Sequence, residues 1–201
     1  DKATPENIMK SPLYMPDPEA SEKAELFLER KMQEQDSAGG VIECIVKGMP
    51  AGIGEPVFDK LDANLAKAVM SIGAEKGVEI GDGFAVAGAF GSDNNDSFCK
   101  GQDGKIAKTT NHAGGILGGM SDGSDIILRA AIKPTPSIAR QQQTVNRDGE
   151  DIEISIKGRH DPIIVPRAVV VVEAMTAIGV LDMILLGMTS RLDRIQEFWK
   201  K

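Results

Sequence analysis

The sequence has 201 residues, of which 41% are hydrophobic and 26% charged, and it includes 22 glycines. This balance predicts a globular chain of about one domain and excludes disorder over most of its length. The formal net charge of −7 opposes non-specific attraction to nucleic acid or to an anionic membrane, so neither is expected as a partner.

Helices and strands are both predicted, without the regular strand–helix–strand alternation of a parallel sheet. Residues 1–16 are expected to form a loosely ordered arm before a domain over residues 17–201. Helices are predicted over 17–35, where Asp17-Pro18 supplies a cap and a first-turn proline, over 58–72, from Pro166 onward and over 190–201. Strands are predicted over 41–47, 126–132 and 152–157, an extended segment over 78–91, and an exposed hairpin or loop over 91–108. The predicted fold class is therefore α+β.

The apolar stretch from Ala168 to Met188 is long enough to be considered as a membrane span. It contains Glu173 and Asp182, however, and charges near the centre of a bilayer are costly. A buried amphipathic helix is therefore the preferred interpretation. The polar start of the sequence predicts that no signal peptide is present.

Cysteines and histidines are few, and their positions are Cys44, Cys99, His112 and His160. None of the spacings matches a metal-binding motif, so no metal site is predicted. The two cysteines are interpreted as reduced thiols, which fits a cytoplasmic location.

Familiar phosphate-binding motifs are absent from the sequence. Gly81 and Gly83 match the start of G-x-G-x-x-G, but residue 86 is Val86, and no Walker A sequence occurs. These observations exclude a Rossmann or P-loop nucleotide site. Residues 126–168 carry more cations than anions in an otherwise acidic chain, a pattern that suits either a small phosphorylated or carboxylated ligand or chance scatter.

Three segments could hold such a ligand, and each has a structural alternative. The glycines of residues 111–119 either let backbone N–H groups approach a ligand or form a tight turn. The prolines of residues 133–137 either hold a cation and two hydroxyls for a phosphate or flavin oxygen, or end a strand. Residues 158–162 offer either an anion clamp with a proton carrier or an Arg–Asp surface pair.

These segments together resemble the chorismate synthase family. The resemblance rests on motifs in the family's order across about residues 12–188, which makes it specific. The motifs are G-I-G-E-P-V-F-D at 52–59, K-G-V-E-I-G-D-G-F at 76–84, N-H-A-G-G-I-L-G-G at 111–119, K-P-T-P-S at 133–137, and G-R-H-D-P at 158–162 with V-P-R-A at 165–168.

The resemblance implies an α+β sandwich of antiparallel sheets and helices, incomplete in this chain. It also implies a lyase that converts 5-enolpyruvylshikimate 3-phosphate to chorismate and phosphate, in the shikimate pathway of aromatic amino acid biosynthesis. The family requires reduced FMN although the reaction has no net redox change. NADP is implied as an associated nucleotide, and a cytoplasmic homotetramer as the assembly.

Site residues follow from the resemblance by their positions in the motifs. Asp161 matches the carboxylate near flavin N5 that is proposed to accept its proton, held by a neighbouring arginine. The family commonly has Asn at the position of Gly73, so one side-chain hydrogen bond to the flavin is expected to be missing here. The implied FMN contacts are Gly73, Ala74, Gly118, Lys133, Pro134, Thr135, Pro136, Ser137 and Arg159.

The family's amino-terminal half has no counterpart in this sequence. That half carries a G-E-S-H-G signature and two histidines that act as general acids, whereas His112 and His160 lie in other motifs. The chain is therefore expected to be a C-terminal portion that self-associates, is inactive alone and does not retain FMN. The alternative is a free-standing scaffold or binding module derived from the same fold, without catalysis.

Overall fold

A computed structural model describes residues 3–101, 104, 106–158 and 160–200. Within it the chain forms two compact units, the first from Asp1–Val41 and Ala131–Val170 and the second from Ile42–Ala130 and Val171–Lys201. The helices are α1 (Pro5–Lys10), α2 (Pro18–Gln33), α3 (Leu61–Met70), α4 (Gly91–Asn94), α5 (Val165–Met188) and α6 (Leu192–Trp199). The strands are β1 (Gly40–Val46), β2 (Glu75–Ile80), β3 (Phe98–Lys100), β4 (Ile106–Lys108), β5 (Ile116–Leu117), β6 (Met120–Ser121), β7 (Ile126–Ile132), β8 (Gln142–Val145) and β9 (Asp151–Ile154).

The first unit begins with the two capped helices α1 and α2. The side chain of Asp17 accepts a hydrogen bond from the backbone N–H of Glu19 at 3.0 Å, so the predicted start of α2 is confirmed. Residues 5–10 of the predicted arm form α1, and the hydroxyls of Ser11 and Ser21 are hydrogen-bonded at 2.7 Å, which ties this segment to α2.

A polar hairpin also belongs to the first unit. Strands β8 and β9 pair antiparallel, and the turn between them is closed by the N–H of Asn146, which donates to the carbonyl of Glu150 at 2.9 Å. The predicted strand over 152–157 is therefore shorter and begins one residue earlier than expected. Its partner β8 was not predicted, because Gln-Gln-Thr-Val has no apolar alternation.

Most of a three-stranded sheet, in the order β1-β7-β2, lies in the second unit. Alternate residues of the central strand β7 are buried, with Ile126, Leu128 and Ala130 fully covered. Helix α3 packs Leu61 and Leu65 into the same core, beside Met49, Ile116 and Met183. Both α3 and β7 lie within the predicted elements, although Phe58, expected on the buried face of the helix, is exposed.

The segment after β2 departs from the prediction of extended chain over 78–91. The strand ends at Ile80, and residues 83–88 form a 3₁₀-helix. Gly81 and Gly83 both have positive φ angles, which a strand does not adopt, and this breaks the extended conformation. Strands β3 and β4 then pair within the predicted exposed hairpin or loop, with Phe98 opposite Lys108. That segment differs from the prediction in two ways, since residues 91–94 form α4 and the Lys108 side chain is buried.

Helix α5 is long and apolar enough to cross a membrane by length and composition alone, a test that the core helix of a soluble protein also passes. Only 22% of its most apolar window is buried. Val172, Thr176 and Met183 face the core, whereas Ile178 and Leu181 are exposed. The prediction of a buried amphipathic helix is therefore wrong for the described chain, because apolar side chains lie on all sides of α5.

Candidate active site

The Lys133–Ser137 segment leaves strand β7 in the first unit and carries a hydroxyl without a partner. The Oγ1 atom of Thr135 is buried and forms no hydrogen bond with any described residue. The carbonyl oxygen of Thr135 accepts a hydrogen bond from the hydroxyl of Ser37 at 2.7 Å, which fixes the backbone. A buried hydroxyl without a partner is costly, so this position suits a polar ligand.

Gly118 lies at the tip of the β5–β6 hairpin in the second unit. Its φ is +60°, a left-handed conformation that favours glycine, and a Cβ added there would meet no atom within 4 Å. Open space thus lies beside an exposed backbone. The base of this hairpin is fixed by the hydroxyl of Ser121, which accepts from the N–H of Ile53 at 2.9 Å. The hairpin therefore offers a ligand a rigid backbone surface.

Gly73 and Ala74 form the turn between α3 and β2. Ala74 has a φ of +71°, which is strained for a residue with a side chain, and such strain is concentrated at functional positions. Gly73 has an ordinary φ and no atom within 4 Å of an added Cβ. The asparagine that the family commonly has at this position would therefore fit without a backbone change.

Asp161, the predicted proton acceptor, is about one third exposed in the first unit. Its Oδ1 accepts a hydrogen bond from Nη2 of Arg167 at 2.9 Å. The adjacent His160 is anchored, with Nε2 lying 2.8 Å from the carbonyl oxygen of Ile156. Arg159, predicted as an FMN contact, lies outside the described residues. Among the described residues, the arginine that pairs with Asp161 is Arg167. The Arg–Asp surface pair that the sequence left open for this loop is therefore present, with Arg167 as its arginine.

The predicted site residues fall into two groups. Gly73, Ala74 and Gly118 belong to the second unit, whereas Lys133–Ser137 and Asp161 belong to the first.

The described residues contain no group of three or more His, Cys, Asp or Glu side chains placed to hold a metal ion. Burial raises the pKa of the Cys44 thiol, which makes it less reactive at neutral pH.

A buried ion cluster, which was not predicted from the sequence, contacts both ends of the β5–β6 hairpin that carries Gly118. The ammonium group of Lys108 lies 3.2 Å from Asp96 and 2.6 Å from Asp122, and all three side chains are almost fully buried. Asp96 also accepts hydrogen bonds from the N–H groups of His112 and Ala113, which precede β5. Asp122 follows β6 directly, so Lys108 joins the two ends of the hairpin.

The two carboxylates of this cluster have lowered pKa values. Burial alone would raise the pKa of Asp96, but hydrogen bonds from Ala113, Thr110, His112 and Lys108 outweigh it and hold the pKa far below its usual range. Burial likewise opposes the shift at Asp122, where bonds from Lys108 and Ser124 lower the pKa. Both groups are therefore ionised at neutral pH, and both stabilise the fold in that form.

This cluster predicts a loss of stability in acid. Groups whose folded pKa is depressed contribute stability that is present above the unfolded pKa, about 4, and lost as the pH falls toward the folded pKa. We expect the free energy of unfolding of the chain, measured by urea denaturation, to fall steadily below about pH 5. Asp96→Asn should show a shallower fall, and an unchanged slope in that variant would assign the acid sensitivity to other groups.

The glycine-rich segment before β5 packs too closely for side chains. Gly114 has a φ of +62°, and a Cβ there would overlap the backbone of Gly81. We expect Gly114→Ala to destabilise the chain by ~2–4 kcal/mol in urea unfolding, from the left-handed backbone together with the overlap. Gly149→Ala is the control, since Gly149 has a φ of +83° but open space around it. Equal losses in the two variants would show that the close packing is unimportant.

Comparisons with known proteins agree with the motifs on these segments. The family model described as chorismate synthase matches residues 2–185. The chain belongs to the chorismate synthase family. The resemblance seen in the sequence is thereby confirmed.

Individual relatives give the extent of the match. A chorismate synthase of Lachnoclostridium phytofermentans is 64% identical over 200 residues, covering 100% of this chain and 54% of the relative. One from Archaeoglobus fulgidus is 59% identical over 182 residues, covering 90% of this chain and 50% of the relative. The chain thus spans about half the length of the curated relatives it matches.

A solved structure shows the same fold. A crystal structure of chorismate synthase superposes with a TM-score of 0.75 at 30% identity, covering 98% of this chain and 54% of that chain. The predicted α+β class is confirmed by this match. The chorismate synthase fold therefore extends over nearly all of the present sequence.

Proposed function

We propose that this chain supplies one part of the active site of a chorismate synthase. The whole enzyme is a lyase that converts 5-enolpyruvylshikimate 3-phosphate to chorismate and phosphate, in the shikimate pathway. The observation that carries the proposal is the family match over residues 2–185, which includes every motif that bears a candidate site residue. A scaffold or binding module without catalysis is the competing function, and the experiment below separates the two.

Reduced FMN fits the described residues that the sequence resemblance assigns to it. The buried Oγ1 of Thr135 has no partner among the described residues, and the backbone at Gly118 faces open space. Lys133 is exposed and forms no ion pair with a described residue, so its charge is available to a phosphate. In the first unit, Thr135 and Lys133 would thus offer the flavin a hydroxyl and a cation. In the second unit, Gly118 would offer a backbone surface.

The chemistry of the proposed reaction divides between cofactor and protein. Reduced FMN, when bound, would lend electron density to the substrate as phosphate leaves. Asp161 would accept and hold a proton at Oδ2, the oxygen that Arg167 does not occupy. The described residues would neutralise charge near the flavin and hold the proton. The general-acid histidines of the family would come from the part of the relatives that this chain does not cover.

The remaining family properties are part of the same proposal. They are a cytoplasmic location, NADP as an associated nucleotide, and assembly of the whole enzyme as a homotetramer. Exposed apolar side chains on α5, such as Ile178 and Leu181, support burial against further protein, whether from another copy or from the rest of the enzyme.

A fusion tests the proposal directly. The fusion enzyme joins this chain to the part of the Lachnoclostridium phytofermentans relative that lies outside their match. We expect the 201-residue chain alone to form no chorismate with excess reduced FMN under anaerobic conditions, because each missing acid contributes ~10²–10⁴-fold. The fusion enzyme should turn over steadily. Turnover by the chain alone would overturn the claim of an incomplete site, and an inactive but folded fusion would favour the scaffold function.

A further inference from the structure

Arg167 is the only described residue that forms a hydrogen bond or ion pair with the Asp161 carboxylate. The hydrogen bond runs from Nη2 of the guanidinium to Oδ1 at 2.9 Å, while Oδ2 accepts no hydrogen bond from a described residue. One carboxylate oxygen is therefore held by Arg167, and the other is left without a hydrogen bond from the part of the chain that the structure describes. This division suits a group that must accept a proton in a fixed direction.

The loop that carries Asp161 is tethered on both sides. Before it, the imidazole Nε2 of His160 lies 2.8 Å from the carbonyl oxygen of Ile156. After it, the carbonyl of Pro162 accepts from the N–H of Ala38 at 2.8 Å, and Ala38 forms a parallel bridge with Ile163. The backbone on either side of Asp161 is thus held by contacts that do not involve its carboxylate. Among the described residues, only Arg167 fixes the direction of that carboxylate.

The position of Arg167 is unfavourable for the helix that contains it. It lies in the first turn of α5, where the helix dipole favours anions, and that turn contains no acidic residue. The backbone there is fixed by the N–H groups of Arg167 and Ala168, which both donate to the carbonyl of Ile164 at 3.1 Å. Helix stability therefore gives no reason for a cation at this position, whereas the bond to Asp161 does.

We infer that Arg167 is a positioning residue for Asp161, and that it keeps Oδ2 directed at the proton that the carboxylate receives. The inference deepens the proposed function and rests on it. Arg167 acts through the carboxylate and need not touch the substrate. Its planar guanidinium fixes the bond direction, and a lysine ammonium can restore the charge but only part of the geometry.

The experiment is a double-mutant cycle in the fusion enzyme. Arg167→Gln should lower kcat about tenfold, the scale of a misdirected catalytic group, with KM and the unfolding temperature unchanged. Arg167→Lys should recover part of that loss. In an Asp161→Asn background, Arg167→Gln should cause no further loss, because the two residues act as one unit. Arg140→Gln is the control, since it removes another exposed ion pair of the same unit, Arg140 with Asp36.

Several results would overturn the inference. One is a kcat of Arg167→Gln within twofold of the wild-type value. Another is a kcat of the double variant that falls by the product of the two single losses. A third is a change in Arg167→Gln confined to KM, which would assign Arg167 to substrate binding. A second measurement does not need activity. In the 201-residue chain, the NMR signal of the Asp161 carboxyl carbon should shift in Arg167→Gln and not in Arg140→Gln. An unchanged signal would refute the contact itself, whereas an inactive wild-type fusion would count against the proposed function alone.

Discussion

Asp161→Asn in the fusion enzyme should lower kcat by ~10²–10⁴-fold, the usual contribution of a general base. The amide keeps the shape of the carboxylate and can still contact Arg167, but it cannot accept a proton. Oδ2 has no partner among the described residues, so the substitution breaks no contact with any of them at that atom. The fold should therefore be unaffected.

Single-turnover assays and FMN titrations of the same variant provide the check. FMN affinity should stay close to that of the wild-type fusion, so that the loss appears in the chemical step. Asp36→Asn is the matched control, because Asp36 forms a similar ion pair with Arg140 elsewhere in the first unit. Wild-type turnover in Asp161→Asn would reduce Asp161 to a structural partner of Arg167.

The largest effect on stability should come from Lys108→Met. The substitution leaves Asp96 and Asp122 buried close together without the cation between them. Removing one partner of a buried ion group costs ~3–5 kcal/mol, because the remaining charges stay desolvated and uncompensated. Urea denaturation of the 201-residue chain at neutral pH measures this loss.

An exposed lysine provides the comparison. Lys23 forms an i,i+4 pair with Glu19 at 2.6 Å, and both side chains are more than 70% exposed. Lys23→Met should change the free energy of unfolding by less than ~0.5 kcal/mol, as is usual for a surface pair. If Lys108→Met lowered the free energy of unfolding no more than Lys23→Met does, the ion cluster would not stabilise the two ends of the Gly118 hairpin.

Local patterns in the sequence predicted those helices and strands that a few neighbouring residues determine. Strand β7 forms over Ile126–Ile132, where a strand was predicted, and it alternates buried and less buried residues. Helix α2 begins where Asp17-Pro18 predicted. In both cases a few neighbouring residues determine the structure, so a window of sequence is sufficient.

Contacts between distant residues could not be predicted in this way. Asp96, Lys108 and Asp122 are separated by 12 and 14 positions, and nothing in their neighbourhoods indicates that one ammonium joins two carboxylates. Arg167 and Asp161 are close in sequence, but which arginine meets the carboxylate depends on how α5 begins. The candidate site residues come from the family motifs, whereas the groups that contact them required the structure.

The central claim is that this chain builds part of the flavin site and not all of it. Calorimetric titration with FMN, of the chain alone and of the fusion enzyme, tests that claim most directly. Each charge-assisted contact contributes ~1.5–3 kcal/mol, so two or three that are missing should weaken binding ~10³-fold or more. We predict that the fusion enzyme binds FMN at least ~10³-fold more tightly than the chain alone. Micromolar or tighter binding by the chain alone would contradict the account, because this half would then build the flavin site by itself.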